Sequence, residues 1–374
     1  MYFDHNATTP LLPAARQAWL DATEQFIGNP SSPHRIGARA EIALHAAREK
    51  LAAFLDCDPL EIIWTSGATE SNNTVLHHLA QSLGNDAEIW ISATEHPCVL
   101  SGAHHYFSGR HRLIPAHRSG IVDLDWLETN LRARRPGAVA VMAANNETGV
   151  LQPWREVLSL CRQHEVPLFC DAAQWIGKEP AHGLGECEYV SGCAHKFGGP
   201  RGVGFLKVPR RGRFYPLLRG GGQEAGQRAG TENVAGVLSM IAALEHRERA
   251  LAAHSVSEKI KLRQEFEIKL EEETVPGTEI VGRHADRLWN TVSVLMPPAE
   301  RPKRWVVKLD KLGFAVSTGS ACASGTEEPS HVLAAMGYAP DEAFRALRFS
   351  SCWETAGDDW DALLDALKKV HSSR

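Results

Sequence analysis

The sequence has no surplus of positive charge. Its 374 residues include 40 lysines and arginines against 45 aspartates and glutamates, which gives a formal net charge of −5. A protein that binds nucleic acid mainly through phosphates needs an excess of basic side chains. We therefore expect no direct binding to nucleic acid, and we interpret the basic cluster Arg210, Arg211 and Arg213 as a solvated loop.

Long hydrophobic runs are missing as well. No apolar stretch approaches the roughly 18 residues that a membrane-spanning helix needs. Asp4 and His5 interrupt the N-terminal stretch in which a secretion signal would be hydrophobic. These observations predict a protein without a membrane segment, located in the cytoplasm, where cysteines remain thiols.

Cysteine is sparse and its spacing excludes the common metal motifs. No two cysteines form the C-x-x-C pair of a zinc ribbon or a thioredoxin-like protein. The pairs His77-His78 and His104-His105 lack a third ligand at a suitable spacing, so we expect no metal site. Most of the cysteines should be small buried hydrophobes. The eight are Cys57, Cys98, Cys161, Cys170, Cys187, Cys193, Cys322 and Cys352.

Short apolar runs alternate with helical patterns through the first two-thirds of the chain. This alternation predicts an α/β fold with a mostly parallel sheet. In the helical pattern 37–55, we expect Ile42, Ala46, Leu51 and Leu55 to form the buried face. The strand candidates are residues 61–65, 87–92, 138–143, 167–170 and 202–208, and further helical patterns cover 123–134 and 154–165.

The last third of the chain has a different character. A glycine cluster at 220–230 precedes a helical stretch at 234–273, and the final hundred residues mix strand and helix patterns. We predict a large α/β domain over residues 16–250 and a smaller α+β domain built from residues 1–15 and 251–374.

Three polar features at strand ends fit one cofactor when they are taken together. The small residues 66–69 open a helix, which suits a phosphate but also an ordinary helix cap. Asp171 ends a buried strand and needs a cationic partner or a salt bridge. Lys196, between His195 and Phe197, is the type of partly buried lysine that becomes a nucleophilic amine. Pyridoxal phosphate (PLP) needs a Schiff-base lysine, an acid beside its pyridinium nitrogen and a phosphate loop.

Motifs in a fixed order extend this pattern over nearly the whole chain. They are residues 2–10, 28–32, 65–73, 95–96, 145–149, 171–174, 195–196, 220–224, 228–231, 319–322 and 348–350. In these motifs the sequence resembles the PLP-dependent cysteine desulfurases of the NifS/IscS type, within the class-V aminotransferase family. The resemblance implies an α/β fold of the PLP-dependent transferase type (fold type I).

The resemblance also implies roles for the residues that would contact the cofactor ring. Lys196 would form the Schiff base and remove the substrate Cα proton. Asp171 would pair with the pyridine nitrogen, and Gln174 would contact the phenolic oxygen. His96 would stack on the ring and take part in proton transfer.

Other matched residues would hold the phosphate and the substrate. Ala68, Thr69, Cys193 and His195 would lie at the phosphate. Thr231 would reach the phosphate of the partner subunit's cofactor, which implies a homodimer. The substrate carboxylate or a cofactor oxygen would be held by Asn146 and Arg348.

The reaction implied by the resemblance takes sulfur from L-cysteine and leaves L-alanine. Cys322 would attack the substrate sulfur as a thiolate and become a persulfide, for transfer to an acceptor protein in iron–sulfur cluster assembly or a thiolation pathway. The alternatives are a selenocysteine lyase, another PLP-dependent β-lyase or an aminotransferase of the same fold, or a scaffold protein without activity. Cys322 favours the desulfurase.

Two positions depart from the family pattern. Cys193 stands where the family usually has serine or threonine, and a thiol is a weaker hydrogen-bond donor than a hydroxyl. After Arg348-Phe349-Ser350, residues 351–353 read Ser-Cys-Trp where many members have Leu-Gly-Arg. The second departure concerns the substrate range more than the type of reaction.

Overall fold

The structure is a computed structural model that describes residues 1–253, 256–298, 304–318 and 329–372. Its main element is a seven-stranded sheet with the strand order β1-β7-β6-β5-β4-β2-β3. The strands are β1 (Ile62–Thr65), β2 (Ile89–Ser92), β3 (His111–Ile114), β4 (Ala138–Ala140), β5 (Leu168–Asp171), β6 (Tyr189–Cys193) and β7 (Gly204–Lys207).

The predicted α/β class with a mostly parallel sheet is confirmed. Strands β2 to β6 pair in parallel, and β7 alone runs in the opposite direction, between β6 and β1. Strand β1 therefore has the same direction as the parallel strands. The carboxyl ends of six strands consequently lie along one edge of the sheet, where ligands bind in open α/β folds.

Helices cover both faces of this sheet, and further helices, α8 to α12, belong to the C-terminal part of the chain. The main helices are α1 (Pro13–Gln25), α2 (Arg35–Leu55), α3 (Ala68–Ser82), α4 (Pro97–Tyr106), α5 (Leu124–Ala133), α6 (Trp154–Gln163), α7 (Val234–Ala253), α8 (Val256–Lys269), α9 (Trp305–Lys311), α10 (His331–Ala335), α11 (Pro340–Ala343) and α12 (Gly357–Ser372). Helices α3 and α4 pack on one face and α1, α2, α5, α6 and α7 on the other.

The alternation of side chains along β1 shows how the two faces are built. Ile62 and Trp64 join the buried cluster that contains α2 and α7, whereas Ile63 joins the cluster of α3 and α4. Successive residues of a strand point to opposite faces. Both faces of β1 are apolar, as expected of a strand buried between two layers of helices.

The predicted buried face of α2 is correct at Leu51 and Leu55 and wrong at Ile42 and Ala46. Ile42 is 67% exposed, and the buried face instead contains Ala40, Leu44 and Ala47. Ile42 precedes Leu51 by nine residues, which is two and a half helical turns, so the two side chains point in opposite directions.

Two strands of this sheet were absent from the predicted set, and β1, β2, β4 and β7 are shorter than predicted. The apolar pattern of β6 is diluted by a serine and a glycine, and β3 is a partly exposed edge strand. Strand β4 ends at Ala140, and the residues up to Ala143 continue it as irregular buried backbone. The apolar signal is weak in β6 because a serine and a glycine fill two of its buried positions, and in β3 because only Ile114 of this edge strand is buried.

A second, antiparallel sheet has the order β10-β9-β8, formed by β8 (Glu279–Ile280), β9 (Thr291–Leu295) and β10 (Ala346–Ser350). Phe3 packs in its core against Phe266 of α8 and Trp360 of α12. The domain boundaries given above stay a prediction. Within the described residues, no helix is both long enough and apolar enough to cross a membrane.

Candidate active site

A cavity of about 530 Å³ opens at the carboxyl edge of the large sheet. It collects side chains that follow β1, β2, β4, β5 and β6, which are far apart in the sequence. The predicted site residues in its wall are Ala68, Thr69, His96, Asn146, Asp171, Gln174, Cys193, His195 and Lys196.

Asp171 is the last residue of β5 and is only 6% exposed. Its Oδ1 accepts a hydrogen bond from the Ala173 backbone N–H at 2.9 Å, and its Oδ2 accepts one from Asn72 Nδ2 at 2.7 Å. These donors fix the orientation of the carboxylate. Asp171 therefore presents a held negative charge to the cavity, which suits a protonated heterocycle.

Lys196 ends a short 3₁₀ turn directly after β6. Its ammonium donates to the carbonyl oxygens of Asn6 at 2.5 Å and Ala7 at 3.0 Å. Beside it, burial and then the charge of Lys196 lower the pKa of His195 to about 4. His195 is therefore neutral at physiological pH and contacts Thr8 Oγ1 through Nδ1 at 3.3 Å.

The start of helix α3 forms part of the cavity wall. Its N-cap residue, Gly67, has φ 153° and ψ 176°, a conformation in which side chains are strained. The backbone N–H groups of the first turn, which have no partner within the helix itself, lie at the cavity wall together with Thr69. A helix N-terminus of this kind binds phosphate.

Cys193 is the unusual residue at this end of the cavity. It is buried, and desolvation raises the pKa of its thiol to about 11. The backbone of Ala68 lies within hydrogen-bond reach of the thiol. Cys193 thus packs beneath the first turn of α3 as a neutral thiol.

His96 is the N-cap residue of α4 and lines the cavity near Asp171. Its Nδ1 accepts from the Cys98 backbone N–H at 3.2 Å and lies 2.9 Å from the Cys98 thiol. Burial is the main cause that lowers the pKa of His96, and Lys196 and His331 act in the same direction, against Asp171. His96 is therefore held as a neutral ring.

Sequence reasoning missed the buried lysine Lys178. Its Nζ donates to Gln174 Oε1 at 2.5 Å and to Asn6 Oδ1 at 2.9 Å. Burial lowers the pKa of Lys178 well below its usual range, with Lys196 as the next cause. Because Lys178 occupies Gln174 Oε1, the Gln174 amide must present its Nε2, which donates to the Asn6 carbonyl at 2.9 Å. The short spacing of four residues between Gln174 and Lys178 could have indicated that their side chains meet.

The structure does not bring all predicted residues into the cavity wall. Arg348 is buried, donates to Asp4 Oδ1 at 2.7 Å and to the Asn146 carbonyl at 2.9 Å, and lies behind the wall. Thr231 is exposed and lies outside its own chain's cavity. Cys322 lies outside the described residues.

The segment before Thr231 is tied to the core of the large sheet. Glu224 accepts from both terminal nitrogens of Arg48 at 2.9 Å and from the Trp64 backbone N–H at 3.0 Å. Arg228 donates to Glu70 on α3 at 2.8 and 3.2 Å. These ion pairs fix the glycine-rich stretch close to β1 and the start of α3.

The donor set of the cavity fits PLP. It offers an amine at Lys196, a carboxylate at Asp171, an amide at Gln174 and a helix N-terminus at Ala68 and Thr69 for the phosphate. These are the groups that PLP sites require. The cavity is also large enough for a ligand of this size.

The comparisons with known proteins agree with this chemistry. The Aminotransferase class-V family model matches residues 1–363. The chain belongs to the class-V aminotransferase family. Members of this family are PLP-dependent enzymes, so the chain is a PLP-dependent enzyme of fold type I.

Relatives with similar sequences extend over the full length. A protein of Dictyoglomus turgidum named cysteine desulfurase IscS is 34% identical, covering 99% of this chain and 94% of its own. A cysteine desulfurase of Klebsiella pneumoniae is 37% identical, covering 99% of this chain and 92% of its own. One from Cereibacter sphaeroides is 38% identical, covering 99% and 95%.

Solved structures agree as well. A structure described as a NifS-like protein superposes with a TM-score of 0.90 at 32% identity, covering 100% of this chain and 99% of its own. A structure described as SspA in complex with cysteine gives a TM-score of 0.80 at 29% identity, covering 93% and 98%. The predicted resemblance to NifS/IscS-type enzymes is thereby confirmed.

Proposed function

We propose that this class-V aminotransferase family member is a cysteine desulfurase, which converts L-cysteine to L-alanine and passes the sulfur to Cys322. The observation that carries the proposal is the convergence of Lys196, Asp171 and the α3 N-terminus on one cavity. The full-length relatives named cysteine desulfurase support the same reaction.

Each group of the cavity has a task in this proposal. Lys196 would hold the cofactor through Nζ, Asp171 would face the pyridine nitrogen, and Gln174 the phenolic oxygen. Ala68, Thr69, Cys193 and His195 would surround the phosphate. Bound PLP supplies an electron sink that acidifies the substrate Cα–H.

Proton transfer would then be the work of Lys196 and His96. Lys196 Nζ is held by the Asn6 and Ala7 carbonyls, which accept its hydrogens and orient it toward the cavity. Once free of the cofactor, the amine can remove the Cα proton as a general base. Neutral His96 stands beside it to share in later proton movement.

The substrate carboxylate would be bound near Asn146 and Arg348. The Asn146 carbonyl accepts from Arg348, and this bond positions the Asn146 side chain in the cavity wall. The Arg348 guanidinium adds positive charge behind it. Asp4 Oδ1 accepts a hydrogen bond from the Arg348 guanidinium at 2.7 Å. A substrate carboxylate would therefore compete with Asp4 for the guanidinium.

The sulfur step needs a thiolate at Cys322. The thiolate attacks the substrate sulfur, the Cβ–S bond breaks, and its electron pair returns to carbon, which is protonated on the way to alanine. The sulfur that moves becomes the outer atom of a Cys322 persulfide. L-Cysteine and one thiol thus become L-alanine and one persulfide, with no outside oxidant.

The described residues on either side of Cys322 support its assignment. Ser317 pairs with Arg348 through two backbone hydrogen bonds of 2.7 and 3.2 Å. Ser330 donates to Glu147 at 2.5 Å, and the neighbouring His331 contacts the Glu95 carbonyl at 2.8 Å. The chain therefore leaves the described structure beside β10 and re-enters it beside the loops that follow β4 and β2.

We propose a homodimer in which Thr231 reaches the partner subunit's cofactor. Thr231 is exposed and outside its own cavity, in agreement with such a role. Residues 11–42 also expose large apolar side chains, which a second copy of the chain could cover. These are Leu11, Leu20, Ile27, Ile36 and Ile42.

The persulfide would pass to an acceptor protein in iron–sulfur cluster assembly or a thiolation pathway. The acceptor's thiolate takes the outer sulfur of the persulfide, and Cys322 is left as a thiolate for the next cycle. We place this transfer in the cytoplasm, where the reducing environment keeps cysteines as thiols.

The test is the stoichiometry of products from L-cysteine with purified, PLP-loaded protein. Wild type should release sulfide and alanine in equal amounts when a reductant is present. C322S should lose sulfide release by roughly a hundredfold or more because the nucleophile is gone. K196A should lose activity and the visible absorption of the lysine-bound cofactor.

C57S is the matched control, because Cys57 is a half-buried thiol outside the cavity wall. It should retain wild-type stoichiometry. Full sulfide release by C322S would contradict the proposed mechanism, and faster turnover of selenocysteine than of cysteine would favour the selenocysteine lyase.

A further inference from the structure

Cys98 is a second thiol in the cavity wall, and the proposed reaction does not use it. We propose that Cys98 is a positioning residue that donates its S–H hydrogen to His96 Nδ1 and holds the ring as the neutral tautomer with its hydrogen on Nε2. The participation of His96 in catalysis rests on the proposed function, whereas its tautomer does not.

The backbone at the start of α4 already favours this tautomer. As the N-cap residue, His96 accepts the Cys98 backbone N–H at Nδ1, at 3.2 Å. A backbone amide can only donate, so Nδ1 must carry a lone pair. An imidazolium ring, which has hydrogens on both nitrogens, would lose this bond.

The side chain of Cys98 adds a second donor to the same nitrogen. Its sulfur lies 2.9 Å from Nδ1 and accepts from Asn72 Nδ2 at 3.1 Å. Asn72 can only donate through Nδ2, so the sulfur takes the acceptor role there and is left to donate its hydrogen to His96. Burial raises the pKa of the Cys98 thiol to about 12, and the hydrogen therefore stays on sulfur at physiological pH.

Hydrogen bonds connect Asp171 to His96 through Asn72 and Cys98. The Asn72 amide group bonds Asp171 Oδ2 at 2.7 Å and the Cys98 sulfur at 3.1 Å. Each link has one permitted direction, from Asn72 to the thiol and from the thiol to His96. The position of the Asp171 carboxylate is thereby coupled to the orientation of the His96 ring.

The charged and titratable groups around His96 set the background for its titration. Asp171 favours the protonated ring, while Lys196 and His331 oppose it. Burial opposes it more strongly than any of them. Loss of the thiol donor removes one bond that only the neutral ring can make, so C98A should raise the pKa of His96.

The experiment is ¹⁵N NMR of histidine-labelled, PLP-loaded protein as a function of pH, with the His96 signals assigned by their loss in H96Q. Wild type should show Nδ1 unprotonated and Nε2 protonated. In C98A we expect the pKa of His96 to rise by about half a unit to one unit. C98S should restore the wild-type titration, because a hydroxyl can also donate.

The second readout is the pH profile of alanine formation. Activity that needs neutral His96 falls below the pKa of the ring, so the acid limb of C98A should move to higher pH by the same amount. C57A is the control, since Cys57 is a half-buried thiol outside the cavity wall. It should leave both readouts unchanged.

Several outcomes would overturn the proposal. A wild-type His96 with its hydrogen on Nδ1 would do so, as would a C98A titration equal to that of wild type. C98S behaving like C98A would show that packing, and not a donor, is what matters. Absence of alanine formation together with the expected tautomer would instead contradict the proposed function and leave the role of Cys98 intact.

Discussion

At the scale of single residues, the reactive groups of the site are positioned by their hydrogen-bond partners. Lys196, Asp171 and Gln174 were predicted from the sequence, but the structure adds Asn6, whose carbonyl oxygen accepts from both Lys196 and Gln174. The N-terminal segment thus forms part of the cavity. Its contribution depends on a backbone carbonyl, which has no signature in side-chain chemistry.

Lys178 gives a prediction at this scale. Its two side-chain acceptors need only two N–H groups, so a neutral amine can satisfy Gln174 and Asn6. K178M keeps the length of the side chain but removes the donor to Gln174 Oε1. Because the amide can then rotate, we expect PLP to bind about three- to tenfold more weakly, measured by titration of the apoprotein with PLP.

K207M is the control for Lys178. Lys207 is also buried and donates to the Cys187 carbonyl at 2.7 Å, away from the cavity. The substitution should lower stability without changing the affinity for PLP. Equal affinities of K178M and wild type would show that Gln174 needs no such support.

At the scale of elements, the first turn of α3 is the part most dependent on backbone geometry. Gly67 adopts a φ of 153° at the N-cap. Strand β7 also approaches so closely that a Cβ on Gly204 would lie 2.6 Å from the Gly67 Cα. Strand β7 can therefore approach the start of α3 because Gly204 has no Cβ, whereas Gly67 is required for its backbone conformation.

G67A should disturb this turn. The conformation of Gly67 is essentially confined to glycine, and an alanine there costs about 1–3 kcal/mol. We expect a lower midpoint of urea unfolding and weaker PLP binding, because the N–H groups of the first turn move from the phosphate position.

G84A tests the same helix at its other end. Gly84 follows α3, and a Cβ built there meets no atom within 4 Å. This variant should bind PLP like wild type. If G67A also did so, the first turn of α3 would not be the phosphate site.

At the scale of the whole molecule, the proposed homodimer predicts that each site uses both chains. T231A should weaken PLP binding roughly tenfold, as expected for the loss of a hydrogen bond to a charged group. In a mixed dimer of K196A and T231A subunits, the site with intact Lys196 receives Thr231 from the K196A subunit. Its activity and cofactor affinity should equal those of a wild-type site.

The measurement is alanine formation per intact Lys196 in mixed dimers purified through two different affinity tags. T231A homodimers serve as the reference. Mixed dimers that remain at the T231A level would place Thr231 at the site of its own chain. A monomer in solution at the assay concentration would contradict the dimer itself.

The sequence alone determined the α/β class, the order of motifs and most groups in the cavity wall. Each of these depends on local information: a repeating apolar pattern, or a reactive side chain beside glycines at a strand end. Motifs such as residues 171–174 and 195–196 keep their chemistry within a few residues. They could therefore be interpreted without knowing what lies around them.

Only the tertiary structure decided which distant partners meet. It placed Arg348 against Asp4, Lys178 against Asn6, and Cys98 between His96 and Asn72. These pairs join segments that are separated by up to 344 residues. A buried polar group must find a partner wherever packing provides one, and that partner's identity is set by the position of whole elements. The exposure of Ile42 is of a different kind, because helical geometry alone places it on the face opposite Leu51.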